Sequence, residues 1–150
     1  MVLPHYMLLW LSSQWLWLMS SLVRISGTVV YRDSSCVVEL CKDFGPYYYS
    51  LIPKYRCANP QRYKAHVTVV RKFEAPNELF QQKLFEGASF FLDYSPKVWY
   101  SYPYYFLECQ SVHIEQLRTI YGLKPHRFDN CYHITIGNNK NNDSNNSDAY

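Results

Sequence analysis

The chain lacks the cysteine spacing of a structural zinc site. Its five cysteines, Cys36, Cys41, Cys57, Cys109 and Cys131, form no C-x-x-C pair and no such pair followed by H-x-H. An odd, scattered set also argues against a disulfide scaffold and suits buried thiols in a reducing compartment. Charge is scarce at the start. No charged residue precedes Arg24, and a net charge of +3 over 150 residues is too small to name a partner. The opening MVLPHYMLLWLSSQWLWLMSSL has neither the basic n-region nor the small-residue cleavage site of a signal peptide. Its apolar part, Tyr6 to Val23, is marginal in length for a bilayer span and is interrupted by Ser12, Ser13 and Gln14. Residues 1–22 therefore read as a membrane or signal anchor, an extra hydrophobic element, or a leader ahead of a true start at Met19. At the other end, NNKNNDSNNSDAY has nothing to bury, so the tail over 140–150 is expected to be disordered.

Between these ends lies one domain, 23–139, long enough for a sizeable core. It is rich in aromatics, with 15 Tyr, 8 Phe and 4 Trp in the whole chain. Most suit a β-rich core, and some suit a flat binding surface. Six cations, Lys54, Arg56, Arg62, Lys64, Arg71 and Lys72, occur before the next acid, Glu74. That run fits an anionic ligand or a solvated loop. The expected elements are strands over 24–32 and 36–41, a short helix over 42–52 capped by Asp43, and a strand over 65–71. A helical turn near 78–83 follows, then a hairpin of 88–94 with 98–109 around Ser95-Pro96-Lys97. A helix over 112–121, capped by Ser111 and stopped by Gly122, leads to a last strand over 131–137.

The two halves thus follow one order, and each closes with the same short pattern, HVTV at His66–Val69 and HITI at His133–Ile136. Residues two apart on a strand share a face. His66 and Thr68 therefore point one way while Val67 and Val69 face a core, and His133 and Thr135 stand in the same relation to Ile134 and Ile136. If the strands lie side by side, two imidazoles and two hydroxyls converge. Displacement at phosphorus needs a proton removed from the incoming oxygen and one delivered to the departing oxygen. Imidazoles titrate in the range needed for both tasks. Threonine hydroxyls suit the non-bridging oxygens. The other histidines, His5, His113 and His126, have no threonine two positions on.

At these motifs the chain resembles the 2H phosphoesterase superfamily, whose signature is a paired H-Φ-[ST]-Φ with Φ apolar. Within it, ISGTVVY, HVTVVR with its trailing Arg71, and LRTIYGL before HITIGN are most similar to the Swiss-army-knife RNA-repair-like branch. The likeness spans Arg24 to Asn139. It implies an α+β, bilobal, pseudo-two-fold fold, with antiparallel sheets and flanking helices around a central cleft. It also implies that His66 and His133 are the acid and base, that Thr68 and Thr135 hold phosphate, and that no metal or other cofactor takes part. Arg71 becomes a candidate substrate ligand, although a regular strand would turn it to the opposite face. Tyr63, Tyr132 and Tyr47–Tyr49 become candidate base-stacking platforms.

The expected activity is metal-independent hydrolysis of nucleotide or RNA phosphodiesters, either a 2′,3′-cyclic phosphate or a 2′–5′ linkage. The alternatives are hydrolysis of cyclic or 2′–5′ oligonucleotide immune messengers, and a nucleotide- or RNA-binding module without turnover. The expected partners are RNA ends or small cyclic oligonucleotides. A cytoplasmic monomer is expected, with membrane association open through residues 1–22.

Overall fold

Alternation of apolar and polar residues builds the strands. Along Tyr104–Gln110, Tyr105, Leu107 and Cys109 are buried while their neighbours face outward. The structure is a computed structural model that describes residues 21–125 and 131–140. Nearly all of the hydrophobic leader and of the Asn-rich tail lie outside the described residues. In chain order the elements are β1 (Val23–Arg32), β2 (Ser35–Glu39), α1 (Phe44–Ser50), β3 (Asn59–Pro60) and β4 (His66–Val70). Then come β5 (Ser89–Tyr94), β6 (Trp99–Ser101), β7 (Tyr104–Gln110), α2 (Val112–Ile120) and β8 (Tyr132–Asn138). Short 3-10 turns occupy Lys54–Arg56 and Glu78–Gln82.

Six strands pair antiparallel in the order β4, β2, β1, β5, β7, β8, and β8 pairs back with β4 to close a barrel. β3 and β6 extend it as short outer strands on β8 and β7. Pro60, which has no N–H to donate, is tolerated because β3 is an edge. This closure overturns the expected bilobal α+β architecture. Two lobes would each need a core and an open cleft between them. Instead the inward side chains of both halves, among them Val38, Val67, Val69, Leu92, Leu107, Ile134 and Ile136, meet in one cluster. With β8 hydrogen-bonded on both sides, no sheet edge remains between the halves.

Gly27, opposite Phe90 of β5, is where β1 passes from pairing with β5 to pairing with β2. A Cβ there would lie 2.5 Å from Val38 Cγ1 and 2.7 Å from the Glu39 carbonyl oxygen. Only glycine lets the strand coil this closely over its neighbour. The expected strand over 98–109 is two strands, β6 and β7, joined by Tyr102-Pro103, with Ser101 opposite Tyr104. The hairpin turn therefore falls at Pro103, which cannot donate to a ladder, rather than at Ser95-Pro96-Lys97. β5 pairs instead with the far end of β7.

Both helices pack on the barrel, α1 (Phe44–Ser50) on β8 and α2 (Val112–Ile120) on β4 and β5. α1 packs against β8 and buries Phe44 and Tyr48, and the Tyr48 and Tyr94 hydroxyls lie 2.9 Å apart. Asp43 precedes α1 as expected but makes no side-chain cap. Ser111 does cap α2, its Oγ accepting from Ile114 N at 3.3 Å while donating to the Phe91 carbonyl at 2.7 Å. α2 also carries the buried Arg118. Its guanidinium donates to the Val69 carbonyl (2.5 Å), the Lys124 carbonyl (2.7 Å) and both Glu74 oxygens (2.8 and 3.0 Å). No disulfide joins the described cysteines. Cys36 and Cys109 are buried as expected, whereas Cys41 and Cys57 are exposed and Cys131 is half-buried. Burial pushes the Cys36 thiol up to about 12. Among the described residues no helix is long and apolar enough to cross a membrane.

Three outcomes follow for stability. Gly27→Val should cost about 1–3 kcal/mol or more by overpacking β2, read as a lower denaturant midpoint. Arg118→Ala should cost about 3–5 kcal/mol, because it strips the Glu74 carboxylate and two carbonyls of their donor. Burial alone would raise the Glu74 carboxyl, but hydrogen bonds from Arg118 and the Arg71 N–H, with the charges of both arginines, hold it below its ordinary value. The folded chain thus binds this proton more weakly than the unfolded chain. Its contribution is present above the ordinary carboxyl range and is lost as pH falls through the depressed folded value. Unfolding curves of wild type and Glu74→Gln should converge in acid.

Candidate active site

Barrel closure sets the site. β4 and β8 bridge at Val67 and Ile134, both fully buried. In an antiparallel pair, one step either side of that bridge sets His66 beside Thr135 and Thr68 beside His133. With the valine and isoleucines inward, all four polar residues share the outer surface; His66, Thr68 and Thr135 are half-buried and His133 is exposed. Like residues occupy opposite corners of this square. Diagonal neighbours on such a ladder stand about 7–8 Å apart, enough for a phosphate to sit between two imidazoles.

Each ring has neighbours on its own and the adjoining strands. His66 Nδ1 lies 2.9 Å from the Lys64 carbonyl oxygen. A carbonyl only accepts, so Nδ1 is the donor in this contact and Nε2 is the ring nitrogen outside it. On its other side His66 pairs with Glu39 of β2. The Glu39 carboxylate is bonded to Arg32 and lies 4.0 Å from Lys64 Nζ. The His133 ring packs on Phe106 at 4.3 Å between centroids, tilted by 38°. Its cross-strand partner is Glu108, and its Nε2 lies 3.9 Å from Cys131 Sγ. Glu108, Cys131 and His133 are also the one grouping of potential metal ligands among the described residues, with ligand atoms within 4.8 Å of one another.

Beside the square, α1, the β3 loop and β8 enclose a recess of about 340 Å³. Thr135 and Ala65 are among the residues that line it, Lys42, Arg62 and Lys64 supply positive charge, and Tyr49 and Tyr63 supply rings; no acid lines it. Two members of the basic run, Arg62 and Lys64, thus line the same recess as Thr135. Lys42 joins them from outside that run and had no signal of its own, because only the packing of α1 on β8 brings it near. Arg71 is elsewhere. It follows the last residue of β4, is exposed, does not line the recess, and its backbone N–H donates to Glu74 at 2.9 Å.

The tyrosines divide. Tyr63 is exposed on the recess wall, with the Arg32 guanidinium 5.7 Å from its ring centre. Tyr49 donates its hydroxyl to the Ala58 carbonyl at 2.6 Å and also lines the recess. Tyr48 and Tyr132 are buried; the Tyr132 hydroxyl bonds the Pro125 carbonyl, so both serve packing. Comparison with protein-family models, with curated proteins and with solved structures finds no match to this chain.

Proposed function

We propose that the chain is a phosphodiesterase acting on RNA ends or small cyclic oligonucleotides, opening a 2′,3′-cyclic phosphate or cleaving a 2′–5′ linkage through its two histidines. One observation carries this reading: the bridge between Val67 and Ile134, which makes neighbours of two His-x-Thr strands distant in sequence. Displacement at phosphorus is in line, so the entering and leaving oxygens lie on opposite sides of the phosphorus. Imidazoles at opposite corners of the square suit that geometry. One takes the proton of the attacking water as the new P–O bond forms. The other, protonated, gives its proton to the departing ribose oxygen as the old P–O bond breaks. The threonine hydroxyls donate to the non-bridging oxygens, where charge is concentrated.

The recess supports the substrate class. Its volume is at the lower end of the range for small-ligand sites, and cations with tyrosine rings suit an anionic nucleotide. The chemistry asks nothing of a metal, since both proton transfers are assigned to side chains.

His66→Ala and His133→Ala should each lower kcat about 10²–10⁴-fold without moving the unfolding midpoint. A panel of cyclic phosphate-ended RNA, 2′–5′ oligonucleotides and cyclic dinucleotides, incubated in chelator, reads this directly. Absence of turnover on every member, or turnover undiminished in either variant, would count against the assignment. Arg62→Ala combined with Lys64→Ala should raise KM about tenfold or more and leave kcat nearly unchanged, because these cations bind substrate and transition state alike.

A further inference from the structure

Glu108, Cys131 and His133 meet on the outer face of the barrel for a reason of register. Glu108 in β7 is the direct cross-strand partner of His133 in β8, and Cys131 precedes His133 by two, on the same side. A thiolate, an imidazole and a carboxylate are the donor set of a tetrahedral zinc site with one open position. Zinc bonds of about 2.0–2.3 Å at tetrahedral angles hold ligand atoms about 3.3–3.8 Å apart. Cys131 Sγ and His133 Nε2 are already 3.9 Å apart, and all three donors lie within 4.8 Å, so rotation about side-chain bonds suffices. The thiolate selects against magnesium and calcium, which take oxygen donors. The cysteine spacing is not that of a zinc finger, and the three ligands come from β7, β8 and the residue just before β8, so the site was invisible to a search for C-x-x-C.

We propose that Glu108, Cys131 and His133 bind one zinc ion, and that this ion silences the enzyme by occupying the ring nitrogen of His133. The second half rests on the phosphodiesterase reading; the first does not. A bound ion takes the lone pair that His133 needs for proton exchange and draws the ring toward β7, away from the phosphate. Zinc is thus an inhibitor here, and a chelator restores activity rather than removing it.

The test uses the full chain, reduced and metal-free, titrated with cobalt(II) and then zinc. Wild type should develop the near-ultraviolet thiolate-to-cobalt charge-transfer band at one equivalent and lose it to zinc. Cys131→Ser should abolish the band, and Glu108→Gln should weaken zinc binding about tenfold or more. Both variants should keep metal-free turnover of cyclic phosphate-ended RNA. One equivalent of zinc should depress wild-type turnover about 10²-fold or more, the lower end of losing one proton-transfer group, and leave Cys131→Ser nearly unaffected. No band in wild type, or a band that survives Cys131→Ser on account of the exposed Cys41 or Cys57, overturns the site. Turnover that requires zinc overturns the inhibition. A band that depends on Cys131, in a protein inactive on every phosphodiester, upholds the metal site and removes the phosphodiesterase reading instead.

Discussion

Everything polar about this molecule's working face depends on one backbone pairing, that of β4 with β8. A barrel must close on itself to leave no exposed ladder, and here the closing seam is the bridge between Val67 and Ile134. Because strand side chains alternate, burying those two residues necessarily turns His66, Thr68, His133 and Thr135 outward together. A slip of one residue at the seam would bury the histidines and expose the valines. The apolar core and the polar square are therefore two consequences of one register.

The seam is supported at the far end of β4 by a buried charge. Arg118 enters from α2 and satisfies the Val69 carbonyl, one residue beyond Thr68, while its remaining donors are taken by Glu74 and the Lys124 carbonyl. A buried guanidinium is tolerable only when its N–H groups find acceptors, and the planar fork reaches three segments at once. A stability element in the helix thus holds the position of the strand that carries His66 and Thr68. On the other flank of the square, His133 stands between Thr68 of β4 and the Glu108–Cys131 pair. An imidazole there can serve proton transfer or a metal, but not both at once.

The sequence alone determined the local grammar. Val67, Val69, Ile134 and Ile136 alternate with polar partners, so both strands and the faces of their side chains follow from spacing. Ser111 and Gly122 marked the ends of α2 because capping chemistry is local. The basic run pointed to Arg62 and Lys64 by composition. The break at Pro103 and the exposure of Cys41 and Cys57 were not anticipated, since each depends on which strand becomes a neighbour.

Tertiary structure alone decided that the two halves form one barrel rather than two lobes. Alternation shows that a strand has one buried face, but not whether the sheets carrying those faces stay apart or close. Closure depends on Gly27 permitting β1 to coil over β2 and on β8 fitting between β4 and β7. It also placed Lys42 in the recess, left Arg71 outside it, and set Cys131 and Glu108 against His133. These are contacts between residues distant in the chain, and no spacing along one strand encodes them.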